Sequence, residues 1–148
     1  YIGSRGLGDV YKRQPLYELI NNNVDSARKV FFVHGGTDVE DREEVRNLTE
    51  TESNAIIVAS YGTFSTGINI KRLHNIVFAS PSKSRIRNLQ SIGRVLRKGE
   101  GKDIATLYDI ADDIGGQNYT LKHLNERVNI YNNENFKYEV IRVNLRAN

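Results

Sequence analysis

With 148 residues, 39% of them hydrophobic and 26% charged, the sequence suits one globular domain with a buried core and at most a short appendage. Cysteine is absent and His34, His74 and His123 are far apart, which excludes disulfides, thiolate metal sites and a histidine-spaced metal site, while no apolar run approaches the ~20 residues of a membrane span. The net charge of +3 decides little, but residues 71–102 hold nine Lys or Arg against the single acid Glu100, and residues 38–52 hold seven acids against two arginines.

In chain order, residues 1–14 differ in character from everything after them. "GSRGLGDVYK" is one substitution from the glycine-rich loop of protein kinases, with Arg5 in place of the second glycine. The lysine, HRD and DFG elements that a kinase also needs do not occur, so the match is accidental. The segment resembles an adaptor-derived tail and is expected to be non-native and poorly ordered. No charged-then-apolar leader is present, so secretion is not expected.

Four apolar runs follow: "KVFFV" (29–33), "AIIVA" (55–59), "NIVFA" (75–79) and "IATLY" (104–108). They are rich in β-branched and aromatic residues and apolar throughout, which predicts strands of a parallel sheet covered on both faces. Between the first two, "DVEDREEVRNLTE" (38–50) predicts a helix with Asp38 as N-cap and acids in its first turn. Between the last two, "SRIRNLQSIGRVLR" (84–97) predicts a second helix ending at Gly99. Strands alternating with helices make an α/β layered domain.

After residue 116 the pattern changes. Leu121, Leu124, Val128 and Tyr131 form one apolar stripe, predicting a helix over 119–134. "FKYEVIRVNL" (136–145) alternates like a half-exposed strand. The expected organisation is a tail over 1–14, an α/β domain over 15–116 and a helix–strand extension over 117–148.

Chemistry concentrates on the 84–97 helix. Arg87, Gln90, Arg94 and Arg97 share one ridge, while Ile86, Leu89, Gly93 and Leu96 share the adjoining face. Such a helix buries one side and offers an amide and three guanidinium forks on the other, which suits phosphate oxygens. A solvated amphipathic surface helix fits the same spacing.

The motifs themselves narrow the choice. "QSIGRVLR" is similar to the Q-x-x-G-R-x-x-R motif VI of superfamily 2 helicases, "VASYGTFSTGINI" (58–70) resembles their motif V, and "HGGTDVEDRE" (34–43) resembles the HG…RE element of their second RecA-like domain. The order is the family's, and these stretches together with "YDIADD" resemble a bacteriophage type of DNA helicase.

The resemblance implies a RecA-like parallel sheet flanked by helices, one half of a motor whose other RecA-like domain, in the same polypeptide, holds the phosphate loop and most of the Mg2+ ligation. No G-x-x-x-x-G-K-S/T occurs in this chain. By resemblance, Arg97 is the arginine finger, Arg94 its partner on the phosphates of ATP, and Gln90 the sensor of the γ-phosphate or the orienter of water. Gly67 admits the nucleotide and Asn69 stands at the ribose, where many relatives have Asp. Gly35, Gly36, Arg42 and Ser60 match positions that grip a nucleic-acid backbone. For Gly35 and Gly36 an ordinary turn, and for Arg42 a pair with nearby acids, fit as well; His34 and His74 are expected to be structural.

The implied partner is DNA, with RNA–DNA hybrids as a variant, at branched or recombination intermediates. The implied location is the cytoplasm, the host's where a phage encodes the protein. The chain alone is expected to lack ATPase activity. A restriction- or chromatin-type translocase and a non-catalytic nucleic-acid-binding module are the alternatives.

Overall fold

The computed structural model describes residues 7–59, 70, 72–79, 104–113, 115 and 119–145, with side chains from residue 13 onward. Helix α1 spans Leu7–Asn23, β1 Val30–Val33, α2 Val39–Thr51 and β2 Ile56–Ala59. Strand β3 follows at Asn75–Phe78, β4 at Thr106–Asp109 and α3 at Tyr119–Asn133.

All four strands coincide with the predicted apolar runs to within two residues, and they form parallel pairs. Strand β1 pairs with β2 in a register that sets Val30 beside Ile56 and Val33 beside Ala59. Strand β3 pairs with β4, from Asn75 beside Thr106 to Phe78 beside Asp109. The ladders extend at their ends through Ile56 N–H to Lys29 O (2.8 Å), Thr106 N–H to His74 O (2.8 Å) and Ile110 N–H to Phe78 O (3.1 Å).

Burial on both faces holds best for β2, where Val58 and Ala59 are each only 2% exposed. It fails for β3 and β4. Along β3, Ile76 and Phe78 are buried while Asn75 and Val77 are exposed, and Tyr108 of β4 is exposed as well. The buried face is the one that meets α3, through Tyr131, Val128 and Ile130. Strand and extension therefore share a core. A second cluster joins Val33, Ala59 and Ile70 to Val45 of α2, and Leu73 packs against both clusters.

Helix α1 starts at Leu7, so residues 7–14 of the segment expected to be disordered are helical, and the side chain of Arg13 is buried. The helix continues through Pro15, whose ring removes one backbone donor. Tyr17 stacks on Phe32 of β1 with ring centroids 5.4 Å apart.

Asp38 occupies the N-cap position of α2 as predicted, but its side chain makes no capping hydrogen bond. The acids Glu40 and Asp41 in the first turn supply the favourable interaction with the helix dipole instead. Arg72, the described member of the basic stretch over 71–102, donates to Glu50 O (2.9 Å) near the other end of α2.

The predicted strand over 136–145 is not formed. Helix α3 ends in a Schellman arrangement, with Asn135 at φ 56°, Asn135 N–H to Asn132 O (3.1 Å) and Phe136 N–H to Tyr131 O (2.9 Å). The accompanying apolar contact sets the rings of Phe136 and Tyr131 6.4 Å apart. That cap turns the chain back along its own helix, and Tyr138 also reaches Tyr131. Beyond it Val140, Ile141, Val143 and Leu145 are exposed. Alternation alone does not make a strand without a ladder to join.

Candidate nucleic-acid interface

Strand β1 ends at Val33, and residues 34–38 turn the chain into α2. Two bonds between His34 and Thr37 close the turn: His34 N–H donates to the Thr37 hydroxyl oxygen Oγ1 (3.0 Å), and Thr37 N–H donates to His34 O (3.0 Å). The His34 ring adds a third, since its Nδ1 accepts from Gly36 N–H at 3.1 Å. A Cβ on Gly36 would sit 3.2 Å from that ring, so any larger residue there would have to push the imidazole aside. At Gly35 a Cβ would meet nothing within 4 Å, so this residue keeps an open face on the turn.

Arg42 lies one turn into α2. Its Nε donates to Thr37 O at 2.8 Å, which ties the half-buried guanidinium to the turn. The ion pair with a neighbouring acid that its sequence context allowed is made instead by Arg46 with Glu43. The two terminal nitrogens of Arg42 have no hydrogen bond to any described residue. A planar fork held at Nε and open at its ends suits a phosphate. The helix dipole contributes little here, because Asp38, Glu40 and Asp41 already surround the N-terminus of α2. An anion at this turn must be held by Arg42 and by turn N–H groups.

The pairing of β1 with β2 carries this turn to the edge where motif V begins. Val33 and Ala59 are register partners, and both strands run the same way, so Ala59, the residue before Ser60 in sequence, lies beside the strand end that opens the His34–Thr37 turn. The C-terminal edge of parallel strands is where ligands bind in open α/β sheets. Of the residues expected to carry chemistry, Gly35, Gly36 and Arg42 are thus brought together. Ser60, Gly67, Asn69, Gln90, Arg94 and Arg97 lie outside the described residues. His74 is exposed at the opposite, N-terminal end of β3.

One polar cluster was not expected from the sequence. Arg127 of α3 is 1% exposed and grips Asp109 at the end of β4 with two bonds, Nε to Oδ2 (2.7 Å) and Nη2 to Oδ1 (2.9 Å). Tyr131 donates its hydroxyl to Asp109 Oδ2 at 2.6 Å. Burial, and then the Asp109 carboxylate, push the Tyr131 phenol well above its ordinary value, with Arg127 opposing. The available signal was an aspartate closing an apolar strand in "YDIADD" and an arginine four residues before Tyr131 on the apolar stripe.

Comparison with known proteins places these features. Residues 10–99 match the helicase conserved C-terminal domain. The ATP-dependent DNA helicase uvsW of Enterobacteria phage T4 is 43% identical over 143 residues, covering 88% of this chain and 28% of that protein. A putative ATP-dependent RNA helicase of Acanthamoeba polyphaga mimivirus is 32% identical over 97 residues, 66% of this chain and 17% of that protein. The crystal structure of T4 UvsW superposes with a TM-score of 0.65 at 37% identity, over 91% of this chain and 29% of that one. The fold is the RecA-like fold of a helicase C-terminal domain, as the parallel strands and their motif order implied. The chain spans less than a third of the T4 protein's length.

Proposed function

Because the chain belongs to the helicase conserved C-terminal domain family, we propose that it is the second motor domain of an ATP-dependent DNA helicase acting on branched or recombination intermediates. The observation that carries this reading is the match over residues 10–99, which includes the His34–Arg42, 58–70 and 90–97 elements in the family's order. Residues 15–116 are the motor domain and 117–148 its extension.

ATP, with Mg2+ held mainly by the first RecA-like domain, supplies the phosphoryl transfer. On this chain Arg97 would be the arginine finger with Arg94 its partner on the phosphates, Gln90 would sense the γ-phosphate or order the attacking water, Gly67 would give the nucleotide room and Asn69 would stand at the ribose. The family match over residues 10–99 supports the assignment: in sequence Gly67 and Asn69 fall between β2 and β3, and Gln90, Arg94 and Arg97 between β3 and β4. Gly35, Gly36, Arg42 and Ser60 hold the strand by its backbone. Contacts to phosphate position a strand without reading its bases, which suits a motor that must pass any sequence.

The test is Arg97→Ala in the full-length protein. Turnover should fall by ~10³ while strand affinity stays, as for removal of an arginine finger. Loss of binding with turnover spared would instead make the chain a non-catalytic binding module. The isolated chain should hydrolyse no ATP, and measurable hydrolysis by it would contradict a cradle supplied elsewhere. RNA as the tracked strand is the second reading, favoured by the name of the mimivirus relative. Competition between DNA and RNA oligonucleotides of one sequence separates the two.

A further inference from the structure

The His34 ring has two nitrogens, and the turn uses one. Nδ1 accepts from Gly36 N–H, so in the neutral ring the proton sits on Nε2. Nε2 makes no hydrogen bond to any described residue, and the ring is exposed. Phe32 packs against it with centroids 5.4 Å apart and planes tilted by 47°, which limits how the ring can turn. As a turn lock alone, histidine is a poor choice. Asparagine presents an acceptor at the Nδ1 position, and it is a common turn residue for that reason. What imidazole adds is an outward N–H on the far side of the ring. That donor stands on the turn whose Thr37 carbonyl holds Arg42 by Nε.

We propose that His34 is a further strand-binding residue, donating from Nε2 to a phosphodiester oxygen while Nδ1 holds the Gly35–Gly36 turn. The inference rests on the strand-contact role of Arg42 and the turn. The competing sites on the described surface offer less to an anion. The groove along α2 is lined by Glu40, Glu43 and Glu44, and both carboxylate oxygens of Asp109 are already taken.

Two substitutions separate the two nitrogens. His34→Asn keeps the acceptor toward Gly36 and removes the outer donor. His34→Gln places a carboxamide N–H near the Nε2 position and removes the inner acceptor. Binding of a fluorescent single-stranded oligonucleotide to the full-length protein should weaken about fivefold to tenfold for His34→Asn, the loss of one hydrogen bond to a charged oxygen. His34→Gln should stay within about twofold of wild type, because a lost hydrogen bond in an exposed turn affects folding more than contact. The thermal midpoints should rank the other way, with His34→Gln the lower. Wild-type affinity for His34→Asn, or an equal loss in both variants, would overturn the proposal and leave His34 a turn residue. Arg42→Ala is the control: if it too binds like wild type, the strand-contact role of the whole turn fails, not the assignment of His34 alone.

Discussion

The β1–α2 turn and the β4–α3 contact both place an arginine against a main element of the sheet, with opposite results. At the turn, Arg42 is half-buried and, among the described residues, bound at Nε alone, which leaves its remaining donors open. At the contact, Arg127 is fully buried and commits Nε and Nη2 to one carboxylate, which Tyr131 also engages. A guanidinium with open donors near the surface can exchange water for a ligand. One enclosed beside its counter-ion cannot, and its value lies in joining two elements. Among the described residues, the polar groups at the C-terminal edge of β1 are therefore candidates for binding, and those at the end of β4 hold the extension in place.

The sharpest way to break this comparison is to remove one partner of the enclosed pair. Asp109→Ala or Arg127→Ala should each cost about 3–5 kcal/mol in chemical denaturation, because a charge is left buried alone. The double change Asp109→Leu with Arg127→Met should recover most of that loss, since an apolar replacement of similar volume is often neutral. Additive losses would show that the two residues do not act as a pair.

A smaller effect is expected at Tyr131. Tyr131→Phe should cost about 1–2 kcal/mol, the loss of a hydrogen bond to a charged acceptor within a packed ring. Its pH dependence has a definite sign. The folded phenol keeps its proton above the ordinary tyrosine value of about 10, so the unfolded chain loses its proton first. Stability from this group is complete below about pH 10 and declines as pH rises past it. Tyr131→Phe should remove that part of the alkaline decline, and an unchanged decline would mean that other groups cause it.

The smallest effects concern the two glycines. Gly36→Ala drives a methyl against the His34 ring and should lower the thermal midpoint by a few degrees, on the order of 1 kcal/mol. Gly35→Ala meets no atom and should change stability by less than about 0.5 kcal/mol. Strand affinity should nevertheless fall for Gly35→Ala, because the methyl occupies the open face. Equal stability losses at both positions would remove the distinction between a packed glycine and an exposed one.

Much of this architecture was legible residue by residue. Runs such as "VFFV" and "IIVA" have few conformations other than a strand that bury them, and the 38–50 helix carried its acids at the end where the dipole favours them. The stripe Leu121, Leu124, Val128, Tyr131 located α3 to within one residue. It could not show that Arg127 would be the largest fully buried side chain among the described residues, because its enclosure depends on the Asp109 carboxylate, 18 residues away. Residues 136–145 went wrong for the converse reason. Their alternation is a local property, whereas a strand is a relation to a neighbour, and the Asn135 cap turns Phe136 back onto Tyr131 first. At the candidate interface, motif order named Gly35, Gly36 and Arg42. It did not foresee the Gly36-to-His34 bond or the Thr37 hold on Arg42.

By itself, the sequence determined the α/β class, the places of the four strands and of helices α2 and α3, and the family, because propensity, apolar patterning and motif spacing are encoded within a few neighbouring positions. Only the tertiary structure decided which face of β3 is covered, which arginine is enclosed and which is open, and that the extension shares the core of the sheet. Those outcomes depend on whether a distant group arrives to satisfy a charge or cover an apolar face, and no local pattern carries that information.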